Sequence, residues 1–297
     1  MVRRLNRHQN HFIGIGAQRA GTSWLYENLM QHPAILLPIK ETHFFSRKFN
    51  WSKGINSYWS IYKNKGKNYC VTGELSTSYL YSKNAIPRIF EWRPDVKIIL
   101  SVRDRTSRTI SAFFNYKLSG EIPRDASFSE AIRLKPDIID FSLYGKYLDI
   151  HFETLSKMPL FLVRLERASA SPQTIFTDIF EFIGIDPTFI PKSAGKKINS
   201  SKIARSPLLE RKIFLLAEKI KEAKYFKLIS ILKFLNVHNF FHLFNSKNIT
   251  LEKKNSLKID VHKACHEIFE NDEIIFNNIV NKLEKMATSE CAKVFRL

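Results

Sequence analysis

Cysteine is scarce in this sequence, and long apolar runs are absent. The 297 residues include three cysteines, Cys70, Cys265 and Cys291, which are too far apart for a metal-ligand pattern or a disulfide framework. We therefore expect a reducing compartment, no zinc site and no disulfides. No stretch reaches the roughly 18 apolar residues that a membrane-spanning helix needs, so the sequence excludes an ordinary transmembrane helix.

Acidic residues are also few, with 28 against 47 Lys and Arg residues and a formal net charge of +19. This excess predicts attraction to anions, whether nucleotides, acidic glycans, anionic lipid surfaces or nucleic acid, and a generally basic solvated surface is the alternative. A nucleic-acid-binding protein is the least favoured class, because the basic residues are dispersed and no DNA- or RNA-binding motif occurs. We expect no nucleic-acid partner.

The basic opening segment, residues 1–11, leads directly into an apolar stretch without the apolar core of a signal peptide. We therefore expect a cytoplasmic protein. Peripheral contact with the inner face of the membrane stays open, because residues 225–244 are rich in aromatic and basic side chains. A packed helix pair is the alternative interpretation of that segment.

A glycine-containing loop follows the first apolar stretch. Gly16 and Gly21 are separated by four residues, as in the Walker phosphate-binding loop, but Thr22 stands where an NTPase has its phosphate-binding Lys. Thr22 and Ser23 begin the next predicted helix, where backbone N–H groups and the helix dipole favour an anion. The loop predicts a 5′-phosphate site that lacks a γ-phosphoryl group, with Arg19 as its cation.

Apolar runs alternate with helical patterns in the rest of the first 210 residues. Val96–Val102 and Leu160–Leu165 read as buried parallel strands, and helices are predicted over 107–116 and 172–183. The pattern predicts an α/β fold with a P-loop-like central parallel sheet flanked by helices and a largely helical C-terminal region. We expect one domain over 1–297, with a core at about 11–210 and a helical extension at about 208–297.

A second candidate anion site follows the strand at 96–102. Arg103 ends this strand, and Ser111 comes eight residues later on the next predicted helix. A guanidinium matches the geometry of a phosphate and a hydroxyl adds a donor, so the pair could bind a second phosphate of the same nucleotide. An Arg that caps carbonyl groups and an ordinary helix Ser are the alternative.

Taken together, these motifs resemble the sulfotransferases that use 3′-phosphoadenosine 5′-phosphosulfate, especially the heparan-sulfate and carbohydrate type and its bacterial relatives. The resemblance runs through about the first 210 residues. Its segments are GAQRAGTSW at 16–24, KETHFF at 40–45, GELSTSYL at 73–80, Arg103 to Ser111, YGKYLDIHF at 144–152 and KKINSSKIARS at 196–206.

The resemblance implies transfer of the donor's sulfuryl group to a hydroxyl or amine of an acceptor, by in-line displacement with a general base. It implies that Arg103 and Ser111 hold the 3′-phosphate, that Trp24 stacks on adenine and that Lys197 contributes from a late loop. A buried core aromatic is the alternative for Trp24. The implied 5′-phosphate residues are Arg19, Ala20, Gly21, Thr22 and Ser23.

The KETHFF segment carries two candidate bases, Glu41 and His43, of which we favour Glu41. A surface ion pair of Glu41 with Lys40 and a structural role for His43 are the alternatives. The departing phosphate is already a stable anion, so a permanently charged Arg19 could replace the Lys that many members carry in the loop. We expect no metal, because Arg103 stands where an NTPase strand ends in the Asp that holds magnesium.

Besides Arg19, two further departures from the family pattern are Leu75, where a Lys sometimes occurs, and Arg105, where Pro is common. An ATP- and magnesium-dependent nucleotide or small-molecule kinase is the runner-up function.

The acceptor of the sulfuryl group is expected to be a glycan, a glycolipid or a small metabolite, selected by residues 46–68, 117–142 and 225–250. The sequence gives no indication of the oligomeric state.

Overall fold

The structure is a computed structural model that describes residues 10–63, 69–195, 202–204, 246–248 and 251–289. The described residues divide into two compact units. The first contains those within Met1–Arg105, Leu143–Ile198 and Glu267–Leu297, and the second contains those within Thr106–Ser142 and Asn199–His266.

A five-stranded parallel sheet forms the centre of the first unit, in the order β2-β3-β1-β4-β5. Its strands are β1 (Asn10–Gly16), β2 (Ile35–Leu36), β3 (Val71–Leu75), β4 (Lys97–Val102) and β5 (Leu160–Arg164). Every residue of β1 after Asn10 is buried, as expected of a central strand covered on both faces. All five strands run the same way, so their carboxyl ends meet at one edge, where such sheets bind ligands.

Along the chain, helices lie between the successive strands of this sheet and after the last of them. They are α1 (Thr22–Leu29), α2 (Lys48–Trp51), α3 (Ile55–Ser60), α4 (Ala85–Trp92), α5 (Arg105–Ser119), α6 (Phe128–Leu134), α7 (Asp137–Asp140), α8 (Tyr144–Leu155), α9 (Leu165–Ala170), α10 (Pro172–Ile183) and α11 (Leu251–Ser289). A short antiparallel pair, β6 (Lys202–Ala204) and β7 (Ser246–Asn248), belongs to the second unit.

The predicted α/β fold class is confirmed, and the helix at 172–183 has the predicted bounds. Pro172 begins α10 and Gly184, with φ 81, ends it in the left-handed conformation that favours glycine. Helix α5 is longer at both ends than the predicted 107–116. The C-terminal region is helical over 251–289, whereas residues 205–245 lie outside the described part of the chain. The prediction of one domain remains a prediction.

No helix within the described ranges combines the length and the apolar character needed to cross a membrane.

The main core of the first unit packs α1 and α10 against one face of the sheet. Phe12, Leu25, Phe161 and Phe176 are 0% exposed in this cluster. Each such side chain contributes about 1.5–3 kcal/mol through burial, so this layer fixes α1, and with it the loop that precedes α1.

In the second unit, Arg108 is fully buried and fastens α5 to α7 and the residues after it. Its guanidinium donates to the carbonyl oxygens of Asp137 at 3.1 Å and Ile138 at 2.8 Å. Thr109 and Ser142 join their hydroxyl groups at 2.7 Å beside it. A buried guanidinium needs such acceptors, because its desolvation is otherwise costly.

A buried carboxylate joins α11 to the start of α8. Asp272, 4% exposed, accepts hydrogen bonds from the backbone N–H groups of Gly145 at 3.0 Å and Lys146 at 2.8 Å. It also accepts from Arg105 Nε at 3.0 Å and Nη2 at 2.7 Å. A Cβ at Gly145 would lie 2.4 Å from the Asp272 carbonyl oxygen, so α11 approaches α8 closely only at a glycine. Arg105, the departure from the common Pro, therefore anchors the C-terminal helix.

We predict that Asp272→Ala lowers the free energy of unfolding by about 3 kcal/mol. The change removes the buried carboxylate that pairs with Arg105, leaves that charge to the partly exposed Glu273, and removes the hydrogen bonds that cap the start of α8. Asp95→Ala is the control, since Asp95 pairs with Arg93 at 3.2 Å but is 73% exposed. That change is expected to cost less than about 1 kcal/mol. Urea unfolding followed by circular dichroism measures both, and equal losses would contradict the role assigned to Asp272.

Candidate functional site

The loop after β1 lies at the carboxyl edge of the sheet and is fixed to the neighbouring strand β4. Ala17 N–H donates to the Ser101 carbonyl oxygen at 2.6 Å, and Ser101 Oγ donates to the Ala20 carbonyl oxygen at 2.5 Å. Gly21 precedes α1 with φ 86, and a Cβ there would lie 2.5 Å from Leu165 Cδ1. The left-handed conformation favours glycine at this position, and a larger residue would also displace the Leu165 side chain.

A lysine from another segment reaches the start of α1. Lys40 Nζ donates to Ser23 Oγ at 2.9 Å, and the first turn of α1 contains no acidic residue. The N-terminus of a helix carries partial positive charge, which usually attracts acids rather than cations. A lysine at this position therefore marks a site that an anion can occupy. The sequence prediction missed this contact, although Lys40 belongs to the KETHFF motif.

Both candidate bases lie beside that lysine. Glu41 Oε1 is 3.2 Å from Lys40 Nζ, and Glu41 Oε2 is 3.4 Å from His43 Nε2. Thr77 Oγ1 donates to Glu41 Oε2 at 3.2 Å. The ion pair between Lys40 and Glu41, considered above as an alternative, is thus formed, but it lies at the helix end. A cation, a carboxylate and an imidazole form one continuous chain of contacts there.

Burial lowers the pKa of His43, the nearby Arg47 lowers it further and Glu41 opposes the shift. His43 Nδ1 lies 2.8 Å from Ser78 Oγ. We expect a neutral imidazole at neutral pH, which can donate from one ring nitrogen to Glu41 and accept from Ser78 at the other.

Two candidate catalytic residues have an unusual backbone conformation. Arg19, with φ 67, and His43, with φ 52, are non-glycine residues with positive φ within the described ranges. Such a conformation costs of order 1–3 kcal/mol and persists where surrounding contacts impose it. Strain of this kind concentrates at functional sites, which favours a functional role for the loop and for the KETHFF segment.

A second carboxylate, Glu74 of β3, lies directly behind the KETHFF segment. It is fully buried, and Thr42 Oγ1 donates to its Oε2 at 2.6 Å. Burial raises the pKa of Glu74, while hydrogen bonds from Thr42, Ser76 and Tyr79 oppose the shift. No local sequence pattern marks Glu74, because its hydrogen-bonding partners Thr42 and Tyr58 are distant in the chain.

The remaining predicted site residues are placed as follows. Arg103 directly follows β4 and is half-buried at the same edge of the sheet as the loop after β1. Ser111 lies within α5 and is 5% exposed, and its sharing of a phosphate with Arg103 stays a prediction. Lys197 lies outside the described residues.

Trp24 is packed into the core of the first unit. It is 7% exposed, its ring lies 4.9 Å from that of Phe176, and its Nε1 donates to the Ala194 carbonyl oxygen at 2.9 Å. These contacts give Trp24 a structural role. Stacking on adenine stays a prediction.

Within the described ranges, no group of three or more His, Cys, Asp or Glu side chains is arranged to hold a metal ion.

Comparison with known families gives a match over nearly the whole chain. The model of the family described as "Sulfotransferase domain" matches residues 9–290. The chain belongs to this sulfotransferase family. The family resemblance predicted from the motifs is therefore confirmed.

Similar curated proteins include two mouse enzymes. Heparan sulfate glucosamine 3-O-sulfotransferase 5 of Mus musculus is 26% identical over 188 residues, which are 59% of this chain and 53% of that protein. Bifunctional heparan sulfate N-deacetylase/N-sulfotransferase 4 of Mus musculus is 27% identical over 205 residues, covering 61% of this chain and 23% of that protein. The chain thus spans about half, or less, of the length of these relatives.

A solved sulfotransferase from Alicyclobacillus acidocaldarius has a similar fold. It is 22% identical, with a TM-score of 0.54, and the match covers 64% of this chain and 86% of that one. The likeness supports the assignment of the fold.

We predict that Lys40→Met weakens the binding of 3′,5′-bisphosphoadenosine about tenfold or more, because a charge-assisted contact is worth about 1.5–3 kcal/mol. Lys53→Met is the control for Lys40→Met, since it removes the same charge from an exposed side chain. A separate change, Arg19→Ala, is expected to abolish turnover, and an unchanged turnover number would remove Arg19 from the mechanism. Isothermal titration calorimetry measures binding, and equal affinities of the Lys40 and Lys53 variants would remove Lys40 from the anion site.

Proposed function

We propose that this protein transfers the sulfuryl group of 3′-phosphoadenosine 5′-phosphosulfate to a hydroxyl or amine of a saccharide-containing acceptor. The observation that carries the proposal is the position of Lys40, whose ammonium group contacts both Ser23 at the start of α1 and the Glu41 carboxylate. An anion bound at this helix end would lie next to a carboxylate able to take a proton. Membership of the sulfotransferase family supports this chemistry.

In this proposal, separate groups of residues bind the 5′-phosphosulfate and the 3′-phosphate of the donor. The 5′-phosphosulfate binds at the N-terminus of α1, through backbone N–H groups and the hydroxyls of Thr22 and Ser23. The 3′-phosphate is assigned to Arg103 and Ser111, with Lys197 contributing from the late loop. The residues assigned to the 5′ side are Arg19, Ala20, Gly21, Thr22, Ser23 and Lys40.

In the proposed reaction the acceptor oxygen or nitrogen attacks sulfur opposite the bridging oxygen. The new bond to sulfur forms as the bond to the 5′-phosphate oxygen breaks, and Glu41 takes the acceptor's proton. The electron pair of the broken bond stays on 3′,5′-bisphosphoadenosine. Lys40 and Arg19 stabilise the charge on that phosphate, and charges held in place before the reaction need no reorganisation.

The base is assigned to Glu41 by position, because its carboxylate lies at the helix end beside the proposed donor site, whereas both ring nitrogens of His43 already have hydrogen-bonding partners in Glu41 and Ser78. His43 Nε2, 3.4 Å from Glu41 Oε2, orients the carboxylate. A neutral His43 donates to Glu41 without competing for the acceptor's proton.

The acceptor class rests on the relatives. Two are heparan sulfate enzymes by name, which supports a glycan, and the excess of basic residues supports an anionic one. A glycolipid or small metabolite would be an outcome of the acceptor screen. The kinase alternative has no observation in its favour.

Transfer is tested by incubating the protein with donor carrying radioactive sulfate and a panel of acceptors: desulfated heparan fragments, glycolipids and small hydroxylated metabolites. We expect labelled saccharide, together with tight binding of 3′,5′-bisphosphoadenosine that does not require magnesium. Tight, magnesium-dependent binding of ATP without labelled acceptor would contradict the proposal and favour a kinase.

The base is tested with Glu41→Gln and His43→Ala at saturating donor. We expect Glu41→Gln to lower kcat about a hundredfold or more, because general-base catalysis contributes that much. His43→Ala should cost less, and both variants should still bind 3′,5′-bisphosphoadenosine. A larger loss for His43→Ala would make His43 the base, and full activity of both variants would exclude both assignments.

A further inference from the structure

We propose that Glu74 is a positioning residue, whose buried carboxylate holds Thr42 and thereby aims the flanking Glu41 and His43 at the reacting groups. The proposal rests on the sulfuryl-transfer function proposed above and assigns a part of it to a residue that touches neither donor nor acceptor.

One oxygen of Glu74 gathers three donors around the KETHFF segment. Glu74 Oε2 accepts from Thr42 N–H at 3.1 Å, from Thr42 Oγ1 at 2.6 Å and from Ser76 Oγ at 2.7 Å. Thr42 is thus held through both its backbone and its side chain. Because Thr42 lies between Glu41 and His43 in the chain, its position limits where both neighbours can point.

The other oxygen anchors the carboxylate to two aromatic residues. Glu74 Oε1 accepts from Tyr58 OH at 3.1 Å and from Tyr79 OH at 2.8 Å. Tyr79 OH also lies 3.1 Å from Thr42 Oγ1. Tyr58 belongs to α3 and Glu74 to β3, so this hydrogen bond connects α3 to the sheet.

Ser76 extends this hold to the strained residue. Ser76 Oγ accepts from Thr42 N–H at 3.0 Å and from His43 N–H at 3.1 Å. Its own proton goes to Glu74, so Glu74 sets the direction of the Ser76 hydroxyl. The left-handed backbone of His43, with φ 52, is kept in place by these contacts.

A carboxylate is needed here because its neighbours supply donors to both oxygens. Its five hydrogen bonds come from one backbone N–H and four hydroxyls. An ionised carboxylate is acceptor-only, whereas the amide of Gln would direct two protons at these groups. No Lys, Arg or His pairs with Glu74 within the described ranges. Burying a carboxylate without a cationic partner is costly even when it accepts hydrogen bonds, and alignment of the base accounts for its presence.

The test compares Glu74→Gln, Thr42→Val and the double variant with the intact protein. We expect each single change to lower kcat by about tenfold to a hundredfold, since small misplacements of catalytic groups have such effects. Affinity for 3′,5′-bisphosphoadenosine should be unchanged. The double variant should be no slower than Glu74→Gln, because Glu74 acts through Thr42.

Thr188→Val is the matched control, since this exposed threonine also donates to a carboxylate, that of Asp186, at 2.7 Å. It should leave kcat unchanged. Unaltered kcat in folded Glu74→Gln overturns the proposal, as do losses that simply multiply in the double variant. Should Glu74→Gln fail to fold, Thr42→Val decides alone. A lower kcat with unchanged affinity for 3′,5′-bisphosphoadenosine supports the proposal, and an unchanged kcat contradicts it.

A readout independent of activity separates this proposal from the proposed function. The pKa of His43, followed by NMR of labelled histidine, should move toward the ordinary histidine value in Glu74→Gln as the segment loosens. If the intact protein transfers no sulfate, the proposed function fails, while an unmoved His43 titration would independently overturn the positioning role.

Discussion

The ammonium group of Lys40 lies at the end of α1 where the helix dipole already contributes positive charge. Two like charges are brought together there, so an anion beside them is stabilised by both. Glu41 supplies such negative charge from one side. The other side is the N-terminus of α1, where the proposed phosphosulfate binds, so the electrostatics of one contact connect the donor site to the base.

The parallel sheet makes this contact available. Strands β1, β2 and β3 are neighbours, and the segments that follow them leave the sheet at the same edge. The loop with Arg19, the KETHFF segment and the Glu74 network are therefore adjacent in space. Leu75 N–H donates to the Lys40 carbonyl oxygen at 2.9 Å, which continues the pairing of β3 into the KETHFF segment.

The site combines strain with tight support. Arg19 and His43 have left-handed backbones, and each belongs to a segment tied to its neighbours by backbone and hydroxyl hydrogen bonds. Groups held in this way keep their orientation when a substrate arrives, which lowers the entropy cost of reaching the transition state. Sequence patterns cannot reveal such strain at a non-glycine residue, because Arg and His usually avoid this conformation.

The sequence by itself determined the order of the motifs, the strands at 96–102 and 160–165, and the helices after the Gly16–Ser23 loop, within α5 and at 172–183. Apolar periodicity, Pro172, Gly184 and the loop glycines act over a few residues, so these elements can be predicted locally. The sequence also placed Glu41 and His43 in one segment. Only the tertiary structure joined Lys40 to Ser23, Thr42 to Glu74 and Arg105 to Asp272, which are 17, 32 and 167 residues apart. Such contacts depend on the order of the strands in the sheet and on which side chains are buried together. Local periodicity predicts neither, because it reflects only residues that are close in the chain.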